Sequence, residues 1–180
     1  ERARRIGVIG LGIGTLASYG RPGDEIDLYE LDPRVVAIAR RDFTFLADST
    51  ARISTTLGDA RISLGREAPR AFDVLVLDAF SSDSVPVHLL TQEAFAIYAR
   101  HLASEGVLAA HISNRFLALS RVVRASARAN GLSCVVVETA TDAARHVSHA
   151  EWALMAREPD TLTRLTQGLP LKAATGPEVL

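Results

Sequence analysis

The sequence predicts an α/β protein built on a doubly wound sheet, mostly parallel, with an antiparallel pair of strands at its C-terminal end. Short apolar runs alternate along the chain with segments of helical periodicity, the pattern of strands joined by crossover helices. Residues 72–77 (FDVLVL) are almost wholly apolar, as in a parallel strand covered on both faces. The last two runs are joined by a polar loop instead of a helix, which favours antiparallel pairing.

The first part of the chain contains three predicted strands, at residues 5–10, 26–31 and 53–57. A short helix follows the first strand over residues 12–19. A second helix covers residues 33–42, because proline is favoured at the first helical position.

The middle of the chain continues the alternation of helices and strands. We predict helices at residues 60–65, 89–102 and 117–129, and strands at residues 72–77 and 106–112.

The C-terminal part supplies the last two strands, at residues 133–139 and 151–156. We expect one folded domain over residues 1–157, followed by a short helix and tail over residues 158–180. In a doubly wound sheet, ligands bind beyond the carboxyl ends of the strands, where the strand order reverses. That rule selects the loops at residues 10–15, 30–33, 58–60 and 78–88.

The composition gives no indication of nucleic acid or a membrane as a binding partner. A formal net charge of −1 gives no electrostatic reason to expect nucleic acid or an anionic membrane surface. Direct membrane insertion of this segment is not expected, because no apolar stretch approaches the roughly 18 residues of a membrane helix. The single cysteine, Cys134, lies in an apolar run and is expected to be buried and inert. Assembly as a homodimer is left open.

A glycine turn follows the first predicted strand. Gly10, Gly12 and Gly14 have the spacing G-x-G-x-G, whereas the dinucleotide fingerprint needs a third small residue at position 15, which is Thr15. The turn therefore favours an adenosyl ligand over a dinucleotide, and a tight turn without a ligand is the remaining alternative.

Acidic residues lie at the end of the second strand and just after the third. Glu30 can accept hydrogen bonds from both hydroxyls of a ribose, while Asp32 is suited to cap the next helix. Asp59 can receive an adenine amino group, with Ala60 beside it, or can simply cap a helix.

Asp78 ends the fourth strand, which puts a carboxylate at the mouth of the cleft, where it can take a proton from an amine nucleophile. Asp83, in the following polar loop, is a candidate for binding a second cationic group of the substrate, or is an exposed loop acid. His111, at the end of the fifth strand, either lines the cleft or packs as an ordinary strand-end residue.

We predict no metal site. His146 and His149 lie three residues apart in a loop, without carboxylate and histidine partners nearby in the sequence. His88 and His101 are interpreted as ordinary residues at the start and end of a helix.

Four stretches together resemble the spermidine synthase (aminopropyltransferase) family, within the class I, Rossmann-like S-adenosylmethionine-dependent methyltransferase fold. They are residues 9–14 (IGLGIG), 29–33 (YELDP), 57–60 (LGDA) and 72–78 (FDVLVLD), and residues 82–91 (SDSVPVHLLT) are the most distinctive addition. The likeness is closest to spermidine-synthase-like domains fused to transporter-like membrane segments. It implies a cytoplasmic location, as a free protein or as the cytosolic domain of a longer membrane protein.

The resemblance implies a ligand and a reaction. S-adenosylmethionine or its decarboxylated form would be the co-substrate and a small-molecule amine the acceptor. Asp78 would be the base, and the cofactor contacts would come from the glycine turn and the acidic loops: Gly10, Gly12, Gly14, Glu30, Leu31, Asp59, Ala60 and Asp78. The family carries an acid inside the glycine turn where this chain has Ile13.

Four functions remain open. The first is aminopropyl transfer to a polyamine-type amine, and the second is methyl transfer to a small molecule, which Ile13 and His111 suit somewhat better. A non-catalytic adenosyl-binding module of a membrane protein is the third. An NAD-dependent oxidoreductase is the fourth, disfavoured by Thr15 and by the lack of a hydride-transfer constellation.

Overall fold

The computed structural model describes residues 2–79, 86–114 and 117–171 of the chain. Within these residues the strands form one mixed sheet. They are β1 (Arg5–Ile9), β2 (Glu25–Glu30), β3 (Arg52–Leu57), β4 (Phe72–Leu77), β5 (Leu102–His111), β6 (Ser133–Thr139) and β7 (Ala150–Ala156).

Helices connect most of these strands, as the periodicity predicts. They are α1 (Pro33–Asp42), α2 (Phe45–Asp48), α3 (Ala60–Arg66), α4 (Gln92–His101), α5 (Leu119–Ala129) and α6 (Pro159–Leu165), with short 3-10 helices at Thr15–Tyr19, Val87–Leu89 and Ala143–Arg145. The segment after the glycine turn is thus a 3-10 helix that starts at Thr15, later than predicted, and α2 was not predicted. With only four residues, α2 is too short to show a helical period.

The strand order is β3-β2-β1-β4-β5-β7-β6. The pairs from β3 to β5 are parallel, whereas β7 runs antiparallel to both β5 and β6. The predicted fold class, with its antiparallel C-terminal pair, is confirmed. The order reverses between β1 and β4, so the loops after these two strands border the crevice in which such sheets bind ligands.

Alternate residues of the central strands face opposite sides of the sheet. Ile9 and Tyr29 belong to a core cluster that also contains buried residues of α3, α4 and α5. Val8 and Leu28 belong to a second cluster, which contains buried residues of α1. Both faces are therefore covered, which explains why these strands read as nearly continuous apolar runs.

Short polar side chains begin three of the helices, α1 and α3 at the predicted places and α4 later than predicted. Asp32 accepts a hydrogen bond from the backbone N–H of Arg34, directly before Pro33 at the start of α1. Asp59 and Thr91 cap α3 and α4 in the same way. These caps satisfy backbone donors that have no partner within the helix.

Strand β5 begins earlier than predicted, directly after α4. Its first residue, Leu102, pairs with Phe72, but the next pair is Val107 with Val74, so the strand bulges in between. At Gly106 a side chain would collide with the carbonyl oxygen of Phe72. The glycine that looked like the start of the strand therefore marks a close approach inside it.

The segment after β7 packs back onto the sheet. Leu162 of α6 is buried against Val107 and Ala156, and Leu171 forms an isolated antiparallel bridge with Val137 of β6. None of the helices in the described ranges is long and apolar enough to cross a bilayer.

Candidate functional site

The glycine turn lies where β1, β2 and β4 end. The N–H of Gly10 donates to the carbonyl of Tyr29 (2.9 Å), and the N–H of Asp78 donates to the carbonyl of Ile9 (2.9 Å). A Cβ at Gly10 would collide with the Asp78 backbone, whereas a Cβ at Gly12 would meet no described heavy atom within 4 Å. The turn is therefore in close contact with the residue after β4 at Gly10, whereas the space beside Gly12 is open.

Glu30 ties the second loop to the glycine turn. Its Oε2 accepts from the backbone N–H of Leu11 and its Oε1 from that of Asp32, both at 2.9 Å. A carboxylate has about four acceptor positions, so each oxygen keeps capacity for one ligand hydroxyl. Leu31 beside it is exposed. This arrangement fits the predicted binding of a ribose, which stays a prediction.

Asp59 has two partners within the protein. Its Oδ1 accepts from the N–H of Ile62 at 3.0 Å, and its Oδ2 lies 3.2 Å from Nε2 of His88. Arg61 adds a hydrogen bond to the His88 carbonyl. The capping alternative is therefore realised, and His88 joins two loops of the crevice instead of being an ordinary helix-start residue. Adenine binding by Asp59 and the buried Ala60 stays a prediction.

Asp78 and His111 are in direct contact. Asp78 Oδ1 lies 2.9 Å from Nδ1 of His111, and Nε2 of His111 lies 2.8 Å from Oγ of Ser113. Ser113 Oγ accepts from the backbone N–H of Glu151 at 2.7 Å. The imidazole stacks on the indole of Trp152, with ring centroids 4.8 Å apart and an angle of 12° between the planes. The result is a polar chain that leads from the crevice into β7.

His111 is packed on Trp152, as one of the two interpretations has it, and is also joined to the candidate base. That it lines a ligand-binding cleft stays a prediction. Ser113 and Trp152 were not singled out from the sequence. The one signal in the sequence for Ser113 is its place two residues after His111, just beyond the end of the same strand. Asp83, the candidate for a second substrate contact, lies outside the described residues.

The expectation that His149 has no carboxylate partners is wrong. Its Nε2 lies 2.9 Å from Oε1 of Glu138 and 4.0 Å from Oε1 of Glu151, and one ligand atom from each of the three residues falls within 4.8 Å of the others. Glu138 and Glu151 are paired residues of β6 and β7, two strands that follow each other in the chain and are joined by a loop. The imidazole separates two carboxylates that would repel each other across the ladder.

His101 is the last residue of α4, as interpreted from the sequence, but it also has a structural role that was not predicted. Its side chain is fully buried, its Nδ1 accepts from the backbone N–H of Arg70 (3.3 Å), and its Nε2 lies 2.8 Å from the carbonyl oxygen of Leu64. Burial lowers the pKa of His101, although the bond to Leu64 acts in the opposite direction. His101 is a structural link between α3, β4 and α4, away from the crevice.

Sequence comparison finds a curated relative in Vibrio vulnificus (strain CMCP6), a polyamine aminopropyltransferase. The chain is 36% identical to it over 115 residues, which cover 61% of this chain and 38% of that relative. The chain therefore matches less than two fifths of that protein's length. No protein-family model matches the chain.

Solved structures with the same architecture include two kinds of transferase. Human methyltransferase-like protein 13, in complex with SAH, superposes with a TM-score of 0.71 at 22% identity, covering 92% of this chain and 80% of that one. Spermidine synthase from Thermotoga maritima superposes with a TM-score of 0.65 at 17% identity, and the match covers 89% of this chain and 56% of that one. Fusion to a transporter-like segment finds no support here and stays a prediction. Strand order, sequence similarity and structural likeness together show that this chain has a spermidine-synthase-like fold of the class I S-adenosylmethionine-dependent methyltransferase type.

Proposed function

We propose that this chain is a transferase that takes its transferred group from an S-adenosyl compound and delivers it to an amine. One observation carries the proposal: Glu30, Asp59 and Asp78 lie at or just beyond the ends of three strands that finish at the same edge of the sheet, around the open glycine turn. A crevice with a carboxylate on each side suits a neutral ribose, an adenine amino group and a cationic sulfonium.

The residues around the turn fit the adenosyl part of such a donor. Glu30 is held by two backbone donors with acceptor capacity remaining, so it can bind ribose hydroxyls without rearranging. Open space above Gly12 allows a ligand to approach the backbone closely. The likeness to human methyltransferase-like protein 13, described in complex with SAH, supports a ligand of this chemical class.

Aminopropyl transfer is the reaction that we favour, because the curated sequence relative is a polyamine aminopropyltransferase. The amine nitrogen attacks the carbon attached to the sulfonium. A C–N bond forms, the C–S bond breaks, and its electron pair stays on sulfur. The nitrogen loses a proton to Asp78, whose side chain is 39% exposed at the mouth of the crevice.

Calorimetry and turnover test this proposal. We expect S-adenosylmethionine, its decarboxylated form and methylthioadenosine to bind, and NAD not to bind. With the decarboxylated donor and putrescine, D78N should lower turnover at least about 100-fold, because the base is lost, and should leave donor binding within a few-fold. D42N, which changes an exposed acid at the end of α1, is the matched control and should keep full turnover. Binding of NAD alone would refute the proposal, and unchanged turnover in D78N would remove Asp78 from its role.

Methyl transfer is the second candidate, and Ile13 favours it. This side chain is 39% exposed inside the glycine turn, where an acid would be needed to hold the ammonium of an aminopropyl donor. If methyl transfer is the reaction, S-adenosylmethionine should support turnover and its decarboxylated form should not. The mass of the product distinguishes methyl transfer from aminopropyl transfer. Donor binding without either product would indicate an adenosyl-binding module that is not a catalyst.

A further inference from the structure

We infer that His111 is a positioning residue for Asp78, held in its Nδ1–H tautomer by the Asp78 carboxylate and Ser113 together, so that the carboxylate presents one defined oxygen to the acceptor amine. This inference rests on the proposed role of Asp78 and adds to it a residue, a tautomer and an orientation.

The sheet brings the two side chains together. Leu77 of β4 pairs with Ala110 of β5, and Asp78 and His111 are the residues that follow them. Their contact is a 2.9 Å hydrogen bond between Oδ1 and Nδ1. An ionised carboxylate only accepts hydrogen bonds, so the hydrogen lies on Nδ1 of the imidazole.

Ser113 is the hydrogen-bond partner of the other ring nitrogen, Nε2. Its Oγ already accepts from the N–H of Glu151 (2.7 Å), and Nε2 of His111 lies 2.8 Å away as an acceptor for the hydroxyl hydrogen. A neutral imidazole has one donor and one acceptor nitrogen, and this pattern uses both. For the contacts described along the chain Glu151, Ser113, His111 and Asp78, Nδ1–H is the tautomer that gives each hydrogen an acceptor.

The ring has little freedom to turn. Trp152 is the residue that pairs with His111 between β5 and β7, and its indole stacks on the imidazole. The anchor of Ser113 is a backbone N–H of the same strand, β7. Within the described residues, the side-chain bond to Asp78 goes to Oδ1, which leaves Oδ2 for the acceptor. A base fixed in this way meets its proton without first reorienting.

The tautomer can be measured without any turnover. Long-range nitrogen–proton NMR on the intact chain distinguishes an Nδ1–H from an Nε2–H imidazole, and H111N identifies which signals belong to His111. We expect Nδ1–H in the wild type and a larger share of Nε2–H in S113A, which loses the hydroxyl that donates to Nε2 while Asp78 still favours Nδ1–H. S113T, which keeps the hydroxyl, should restore the wild-type tautomer. An Nε2–H imidazole in the wild type, or no change in S113A, would overturn the inference.

Turnover tests the positioning role. The amide of H111N can replace the Nδ1–H donor, whereas that of H111Q replaces the other nitrogen. We therefore expect H111Q to lower kcat by about 10- to 100-fold with KM for the amine little changed, and H111N to keep most of kcat. H149Q is the control and should match the wild type, because His149 reaches Glu151 through that residue's carboxylate, whereas Ser113 is held by its backbone N–H.

The positioning role of His111 and the proposed transferase function can be refuted separately. Equal kcat in H111Q, H111N and the wild type would remove the positioning role while leaving the transferase intact. A wild-type protein with no turnover would contradict the proposed function, and the NMR result would still decide the tautomer.

Discussion

At the scale of single residues, the glycines of the turn have different physical requirements. Gly10 has φ +94° and lies against the backbone of Asp78, so a side chain there would force β1 and β4 apart. Gly12 has φ +55°, a left-handed conformation that other residues adopt at a modest cost, and faces open space. Gly10 is therefore needed for folding, whereas Gly12 is available for the ligand.

The first prediction separates these roles. G12A should reduce stability by only about 1 kcal/mol, the cost of the left-handed conformation, but should weaken S-adenosyl donor binding at least about 10-fold, because the methyl group occupies ligand space. Urea unfolding and calorimetry measure the two effects. G10A is the comparison and should fail to fold or be strongly destabilised. Full donor affinity in G12A would mean that the ligand does not approach this part of the turn.

The second prediction concerns the pH dependence of stability through His101. Burial keeps the folded-state pKa of this histidine below its usual value near 6.5, so the unfolded chain binds a proton that the folded protein does not. The free energy of unfolding should therefore fall as the pH drops below about 6.5, down to the folded-state pKa. Urea unfolding at several pH values should show a smaller fall in H101Q, whose amide can still donate to Leu64 but does not titrate. Parallel pH curves for the two proteins would contradict this.

At the scale of elements, the start of α3 combines a structural and a candidate binding role in Asp59. Its Oδ1 caps the helix, and its Oδ2 contacts His88, which joins the loop after β3 to the 3-10 helix at Val87–Leu89. A substitution of Asp59 can therefore act in three ways: by removing the cap of α3, by removing the contact with His88, or by removing a contact with a bound ligand.

The third prediction distinguishes capping from ligand binding. D59A removes the cap and should cost about 1 kcal/mol of unfolding free energy, whereas D59S keeps a capping oxygen and should cost less. If the carboxylate also binds the donor, both variants should lose donor affinity to a similar extent. Denaturant unfolding and calorimetry on the same samples give the comparison. If D59S regains both stability and affinity, capping alone accounts for Asp59.

At the scale of the whole molecule, the segment after β7 is joined to the same sheet as the crevice. Leu162 of α6 is 2% exposed and packs on β5 and β7, the strands that carry His111 and Trp152. The C-terminal helix is therefore expected to unfold together with the sheet.

The fourth prediction tests this coupling. L162A should lower the free energy of unfolding by about 2 to 4 kcal/mol, through lost burial and the cavity left behind, in a single cooperative transition. L165A is the matched control: Leu165 is half exposed in the same helix, and its change should stay within about 0.5 kcal/mol. A separate early transition in L162A would show that α6 unfolds independently of the sheet.

Much of the fold could be predicted because it depends on neighbours in the chain. Short, nearly continuous apolar runs identify β1, β2 and β4, and the caps at Asp32 and Asp59 begin α1 and α3 where expected. The start of β5 could not be predicted, because its bulge depends on contact between Gly106 and Phe72.

The sequence by itself determined which residue types stand at the carboxyl ends of the strands: glycines after β1, Glu30 at the end of β2 and Asp78 after β4. Only the tertiary structure decided which of these side chains touch. The bonds from Asp78 to His111 and from Asp59 to His88, and the grouping of His149 with Glu138, all join residues distant in the chain or in separate elements. The physical reason is that periodicity specifies the face of a strand, whereas strand order and register decide which strand lies beside it.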